Sequence, residues 1–150
     1  MKNYIFLLIF SWIVINTVSA QWSIGARVGG SVGVDFKNYP ATGDLQIEVI
    51  SAFNLDENID AVSVTLLGEK FGALSNDGNL GAFLGAGVTS VFADDFLFGV
   101  NGIAGFDWRI RRIGFQVDWM PTFIFINDSY FSPINAAFTL RWLLSGRLLK

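Results

Sequence analysis

Residues 22–37 read WSIGARVGGSVGVDFK, and their side chains alternate between apolar and polar or small with a period of two. Apolar side chains occupy the even positions as far as Val28, and the alternation resumes at Val32 after Gly29, Gly30 and Ser31. Such alternation is typical of a β-strand with one apolar and one polar face, and glycine-rich breaks mark turns. The stretch therefore predicts two antiparallel strands joined at residues 29–31.

The same alternation continues along the rest of the chain. It predicts further strands over residues 44–53, 60–71, 80–92, 96–109, from 113 onwards, and 134–144, with a loop at 127–133. Pro121 cannot donate to a strand ladder, which predicts a bulge or kink there. The connections are too short for parallel crossovers, so the sheet is antiparallel. We predict an all-β fold of eight strands, or seven if 29–31 is not a turn.

The polar face of these strands is rich in glycine, which bears on the direction in which it points. A soluble lipocalin-like barrel is apolar inside, whereas an outer-membrane barrel is apolar outside. A water-facing surface would carry Lys, Glu, Ser and Thr, while crowding inside a narrow barrel favours glycine. The glycines are Gly25, Gly29, Gly33, Gly81, Gly85, Gly87, Gly99 and Gly105. We therefore predict an up-and-down transmembrane β-barrel with its polar face in the lumen.

Charged residues of both signs share this polar face. An eight-stranded barrel leaves an interior that side chains just fill, so these charges are expected to pair across the lumen. The predicted lumen charge network consists of Arg27, Asp35, Lys37, Glu48, Glu69, Asp107, Asp118 and Arg141.

Aromatic residues cluster near the predicted strand ends, as the two girdles of a membrane barrel require. One girdle contains Trp22, Phe36, Trp108 and Trp142, together with Tyr39 and Phe71. The other contains Phe53, Phe96, Phe123 and Phe131, together with Phe92, Phe125 and Tyr130.

The charges of the connections suggest an orientation. With the N-terminus in the periplasm, the outward loops hold Asp56, Glu57, Asp60, Asp94, Asp95 and Asp128. The periplasmic turns and tail hold Lys37, Lys70, Arg109, Arg111, Arg112, Arg147 and Lys150, with Asp44 and Asp77 as exceptions.

Residues 1–20 differ from the rest of the chain. Lys2 precedes an apolar run at 4–14, and small residues at Val18 and Ala20 follow. This pattern predicts a secretory signal peptide cleaved after Ala20, which leaves residues 21–150 as the barrel domain. The alternative is a membrane anchor, but the run is shorter than the ~20 residues of a spanning helix.

Composition limits the chemistry. The chain contains no Cys and no His, so it lacks thiolate ligands, a Ser-His-Asp triad and the commonest general base. Asp107 with Asp118 could form an acid–base pair, but a lumenal salt-bridge network with Arg27, Lys37 and Arg141 explains them more simply. The loop carboxylates at 56–57 and 94–95 could hold Ca²⁺ or Mg²⁺, but solvated loop charge is the simpler explanation. No basic patch is present, so we expect no nucleic acid partner, and we expect no cofactor.

Several segments, in order, resemble the small outer-membrane β-barrel proteins of Bacteroidetes-type bacteria, which share the architecture of OmpA and OmpX barrels. They are IGARVGG at 24–30, VDFK at 34–37, LQIE at 45–48, GAG at 85–87, GIAGFDW at 102–108, VDWMP at 117–121 and TLRW at 139–142. The resemblance implies a barrel without assigned activity, in contact with outer-membrane lipid and lipopolysaccharide. It also implies assembly by the barrel-assembly machinery with periplasmic chaperones. In that family the final strand ends the protein, whereas here LLSGRLLK follows Trp142.

Three functions follow as hypotheses. The first is a monomeric, non-catalytic outer-membrane barrel with a structural or surface-interaction role and a lumen plugged by charged side chains. The second is a narrow pore for small solutes or ions. The third is a soluble periplasmic lipocalin-like barrel that binds an apolar ligand.

Overall fold

The computed structural model describes residues 21–40, 44–53, 61–126 and 129–144. The strands are β1 (Gln21–Gly29), β2 (Val32–Tyr39), β3 (Leu45–Phe53), β4 (Val62–Ala73), β5 (Leu80–Phe92), β6 (Phe96–Ile110), β7 (Ile113–Trp119), β8 (Thr122–Ile126), β9 (Tyr130–Ser132) and β10 (Ala136–Leu143). No helix in these four ranges is long and apolar enough to cross a membrane. The predicted signal peptide at 1–20 lies outside the described residues.

The strands form one closed antiparallel sheet. Neighbours follow the order β5-β4-β3-β2-β1-β10-β7-β6, and β6 pairs back with β5 to complete the circle. β8 continues β7 and also pairs with β6, while β9 precedes β10 and pairs with β8. The ten segments thus make eight barrel strands. The predicted eight-stranded antiparallel barrel is confirmed, including the turn between β1 and β2.

The seventh and eighth barrel strands are each interrupted once. The seventh breaks at Met120 and Pro121, as predicted from the missing proline N–H, and the Pro121 carbonyl accepts from Gly102 N at 3.1 Å. The prediction of a loop over 127–133 is wrong for residues 130–132, which form strand β9 and pair with β8. The eighth barrel strand is interrupted at residues 133–135, between β9 and β10. At this break Trp119 Nε1 donates a hydrogen bond to the Pro133 carbonyl at 2.6 Å.

The two ends of the barrel differ in their connections. Because the strands are antiparallel, the turns at 29–31 and 93–95 lie at one end, which we call the loop end. The turns at 74–79 and 111–112 lie at the other end together with Gln21 and Leu143, and we call this the terminus end. Gly78 and Arg111 adopt positive φ angles of 68° and 56° in these two turns.

The two faces of the sheet have opposite character. The outward face carries a belt of exposed apolar side chains, for example Leu84 at 68% exposure and Val117 at 56%. Lys70 is the one charged residue on the outward face of the described strands. The inward face contains the buried polar and charged residues together with a compact apolar cluster. The outer wall, rather than the interior, is therefore the most extensive apolar surface of the barrel.

Candidate functional site: the barrel lumen

Inward-facing glycines make room for the lumenal side chains. A Cβ at Gly25 would lie 2.6 Å from Asp35 Oδ1 and 2.7 Å from Arg141 Cγ, and one at Gly85 would lie 2.8 Å from Glu69 Cγ. On the outward face, a Cβ at Gly68 would meet no atom within 4 Å. Neighbouring side chains of the ion-pair network thus leave no room for a Cβ at Gly25, and at Gly85 the backbone carbonyl of Gly68 on β4 takes up the space together with Glu69.

Arg27 on β1 and Asp118 on β7 form a bidentate ion pair inside the lumen. Arg27 Nη1 donates to Asp118 Oδ2 and Nη2 donates to Oδ1, each at 2.6 Å. Gln116 Nε2 donates to the same Oδ2 at 2.9 Å. Neither charged side chain is exposed. Parallel N–H···O bonds of this kind are among the strongest in proteins.

Arg141 on β10 joins two carboxylates from neighbouring strands. Its Nε and Nη2 donate to Asp35 at 3.0 and 2.6 Å, and Nη2 also donates to Glu48 Oε1 at 2.6 Å. Its Nη1 donates to Gln116 Oε1. Arg141 and Gln116 thereby connect β2, β3, β7 and β10 across the interior.

Lys37 on β2 lies at the centre of the remaining acidic groups. Its Nζ lies 2.5 Å from Glu69 Oε2, 3.4 Å from Glu48 Oε2 and 3.8 Å from Asp107 Oδ2. It also donates to Gln116 Oε1 at 3.0 Å and lies 4.2 Å from the centre of the Phe83 ring. One ammonium thus meets three carboxylates and an aromatic face.

The buried charges do not balance. Their side chains have at most 2% exposure, and they comprise the cations Arg27, Lys37 and Arg141 and the anions Asp35, Glu48, Glu69, Asp107 and Asp118. Three cations against five carboxyl groups leave a formal excess of two negative charges. Asp107 Oδ1 and Glu69 Oε1 accept no hydrogen bond from the described residues.

Two aromatic residues and an arginine close the lumen at the terminus end. The Arg109 guanidinium lies 4.8 Å from the Tyr39 ring centre and 5.1 Å from that of Phe71, and Nη2 donates to the Gly78 carbonyl at 2.6 Å. The Tyr39 hydroxyl donates to Asp107 Oδ2 at 2.9 Å. The expected girdle positions of Tyr39 and Phe71 are therefore wrong, because both share the inward parity of the charged residues two positions earlier.

Arg109 and Lys37 were also expected among the basic groups of the periplasmic turns. Lys37 is fully buried in the network, and Arg109 is partly buried at the mouth. Arg111, Arg112 and Lys70 are exposed as expected, and the loop residues Asp94 and Asp95 are exposed too. The remaining loop and tail charges, apart from Asp44 and Asp77, lie outside the described residues: Asp56, Glu57, Asp60, Asp128, Arg147 and Lys150.

The other predicted girdle residues are exposed on the outer wall. Trp22, Phe36, Trp108 and Trp142 lie within three residues of the terminus end of their strands. Phe53, Phe96, Phe123 and Phe131 lie within three residues of the loop end of theirs. The aromatic side chains thus occur near both ends of the outward belt.

An apolar layer inside the barrel was missed by the sequence analysis. It consists of Ile50, Ala52, Leu67, Phe83, Ile103 and Met120. Its members lie on the same inward parity as the charged residues, so strand parity alone was the signal that could have found them. Three of its members, Ile50, Ala52 and Met120, also line a cavity of about 160 Å³ that extends towards the loop end.

The two carboxylates considered as an acid–base pair, Asp107 and Asp118, are held separately in the lumen. Asp107 accepts from Tyr39, whereas Asp118 accepts from Arg27 and Gln116, so the two carboxylates have different partners. No group of three or more Asp, Glu, His or Cys among the described residues could hold a metal ion.

Solved structures share this fold at low sequence identity. The N-terminal β-barrel domain of Pseudomonas aeruginosa OprF aligns with a TM-score of 0.61 and 11% identity, over 83% of this chain and 96% of that chain. A de novo designed transmembrane β-barrel aligns with a TM-score of 0.57 and 15% identity, over 83% and 95% of the two chains. No protein-family model and no curated protein matches the chain. The shared fold is thus the eight-stranded barrel of the outer-membrane type, and the narrower resemblance to Bacteroidetes-type proteins stays a prediction.

Proposed function

We propose that this chain is a non-catalytic outer-membrane β-barrel with a structural or surface-interaction role. The observation that carries the proposal is that the sheet has its apolar face outside and its charged face inside, the reverse of a soluble protein. Apolar side chains cover the outer wall, whereas the eight charged residues of the lumenal network are at most 2% exposed. Soluble proteins keep most charged residues at the surface, and membrane barrels face lipid with an apolar band.

The outer wall supports a lipid environment. The single charged residue on the outward face of the described strands, Lys70, pairs in register with Leu45 at the start of β3, close to the terminus end. Tryptophan at the terminus end and phenylalanine at the loop end would mark the two interfaces. A soluble periplasmic barrel would expose this whole belt to water, which disfavours that alternative.

The orientation follows from the charges at the two ends. Exposed Asp94 and Asp95 lie at the loop end, and exposed Arg111 and Arg112 lie at the terminus end. We place the loop end outside the cell and the terminus end in the periplasm. The protein would then be a monomer in contact with lipid and lipopolysaccharide, inserted by the barrel-assembly machinery with periplasmic chaperones after removal of residues 1–20.

The packing of the lumen supports a plugged barrel. Solutes entering from the periplasm would meet Arg109 beside Tyr39 and Phe71, and further in they would meet the ion pairs and the inner apolar layer, which touch where Lys37 lies over Phe83. Apart from Lys37–Glu48 on the adjacent strands β2 and β3, the ion pairs link strands that are not adjacent, so opening a path would require several buried charges to lose their partners together. Such charges are costly to leave unpaired.

A narrow, cation-selective pore is the second candidate. The excess of carboxyl groups over cations favours it, because an acidic lumen attracts cations. The inner apolar layer argues against it, since apolar side chains offer an ion nothing in place of its hydration shell.

The proposal is tested by outer-membrane fractionation with a heat-modifiability gel, followed by conductance measurement in planar bilayers. We expect recovery in the outer-membrane fraction, different mobility before and after boiling, and no steady single-channel steps. Recovery in the periplasmic supernatant without detergent would refute the membrane assignment. Reproducible steps that change with Glu48→Gln, but not with Arg112→Gln at the exposed turn, would establish the pore instead.

A further inference from the structure

A cavity of about 160 Å³ occupies the loop-end half of the lumen. Its wall is built from six of the eight barrel strands and the turn between β1 and β2, and its floor includes members of the inner apolar layer. Its lining includes Ser63, Thr65, Thr89, Asn101, Thr122 and Met120. None of the described residues that line it is charged. The cavity is thus chemically separate from the ion-pair network nearer the terminus end.

The absence of charge from this lining limits the kind of ligand. An ion moved from water into a cavity without a countercharge loses part of its hydration energy. A neutral compound avoids this penalty. The volume is also below the ~300 Å³ of pockets that hold drug-sized ligands, so the ligand must be small.

One buried side chain presents a free acceptor to the cavity. Asn101 has 4% exposure, and its Nδ2 donates to Thr122 Oγ1 at 2.7 Å. Its Oδ1 accepts no hydrogen bond from the described residues, and neither does Oδ1 of Asn135 on the same lining. A buried acceptor without a donor is destabilising, so a ligand that brings donors would remove this penalty.

A pair of threonines, in contrast, offers the cavity a hydrogen-bond donor. Thr65 Oγ1 and Thr89 Oγ1 lie 2.6 Å apart and both line the cavity. One hydroxyl donates to the other, so the hydrogen of the accepting hydroxyl remains free to donate to another group. The wall therefore needs a ligand whose groups both donate and accept, as hydroxyl groups do.

The floor of the cavity is apolar. Ile50 and Ile124 are at most 2% exposed, and Met120 is 6% exposed. Such a surface fits the C–H face of a compact carbon skeleton. We propose that the cavity binds one small, neutral polyhydroxy compound, of the size of a monosaccharide or a shorter polyol.

The binding test uses the methionine methyl group as a local probe. The chain contains two methionines, Met1 and Met120, so ¹³C-methyl labelling in detergent micelles gives at most two signals, and Met120→Leu assigns the one at the cavity floor. Glucose, galactose, mannose and glycerol are titrated, with gluconate and glucosamine as charged counterparts. We expect a saturable shift of the Met120 signal with at least one neutral compound and none with gluconate or glucosamine.

Two variants on one strand provide the matched control. Ser63→Phe places a ring in the cavity, whereas Val64→Phe places it on the outer wall next door, where Val64 is 40% exposed. Saturation should vanish in the first and persist in the second, and Asn101→Leu should weaken binding about tenfold by removal of the acceptor. No saturable shift with any neutral polyol, which would mean a cavity that holds only water, would overturn the proposal. Equal binding of gluconate, or unchanged binding by Ser63→Phe with both variants folded, would overturn it as well.

Discussion

Arg27 and Asp118 face each other across β10, and two hydrogen bonds of 2.6 Å join the guanidinium to the carboxylate. The residues are 91 positions apart in the chain, and neither side chain is exposed. The pair therefore ties the first barrel strand to the seventh from inside, parallel to the backbone ladder that joins them through β10.

We predict that Arg27→Gln destabilises the barrel by about 3–5 kcal/mol, because it leaves the Asp118 carboxylate buried without a cation. The measurement is urea-induced unfolding in detergent micelles, followed by tryptophan fluorescence and by the heat-modifiability gel. Arg112→Gln, in the exposed turn at the terminus end, should change stability by less than about 0.5 kcal/mol.

A double variant separates charge burial from packing. Arg27→Met with Asp118→Leu removes both charges and fills similar volumes, so most of the stability should return. If Arg27→Gln were no more destabilising than Arg112→Gln, the ion pair would have no structural importance.

Alternation of residue types is what made the network accessible from the sequence. A period of two puts Arg27, Asp35 and Lys37 on one face regardless of the tertiary structure. Their partners could not be predicted in the same way. Arg27 pairs with Asp118 and not with Glu48, because partner choice depends on the stagger of strands around the closed barrel.

The inner apolar layer shows the limit of that approach. In β4, Leu66 and Leu67 are adjacent and both apolar, yet one is 50% exposed and the other 1%. Composition cannot distinguish a lipid-facing leucine from a lumen-facing one, since both environments are apolar. Only the parity set by Thr65 and Glu69 on the same strand could have placed Leu67 inside.

Space around the ion pairs provides the second prediction. Gly25→Ala should destabilise the barrel by about 1–3 kcal/mol, because the new Cβ would lie 2.6 Å from Asp35 Oδ1 and 2.7 Å from Arg141 Cγ. Urea unfolding in micelles again measures the effect.

Gly68→Ala is the matched control on the outward face, where a Cβ meets nothing within 4 Å. It should be neutral or stabilise by about 0.5–1 kcal/mol, as expected for replacement of glycine within a strand. Equal effects of the two substitutions would contradict crowding as the reason for glycine in the lumen.

The turn at the terminus end provides a pH-dependent prediction. Hydrogen bonds from Ser75 Oγ and from the backbone and side chain of Asn79 lower the pKa of Asp77 below its usual value. A carboxyl group with a lowered pKa in the folded state stabilises that state above the unfolded pKa, and this contribution is lost as the pH falls through the folded pKa. NMR titration of the Asp77 carboxyl should therefore give a pKa below 3.8. The Ser75→Ala variant should move it back towards 3.8, and an unshifted value in the wild type would contradict the turn geometry.

The outer belt provides the prediction that depends most directly on lipid. Leu140 is 47% exposed, lies midway along β10 and pairs in register with Ala26 and Phe115, so it should face the hydrocarbon core of the bilayer. Leu140→Arg should destabilise the protein folded in vesicles by about 2–4 kcal/mol, because an arginine at mid-depth loses its hydration. Leu74→Arg makes the same change in the terminus-end turn, where Leu74 is 62% exposed, and should have little effect. The difference between the two variants should shrink in detergent micelles, which offer shorter paths to water. A Leu140→Arg protein as stable in vesicles as the Leu74→Arg protein would mean that the belt does not face lipid.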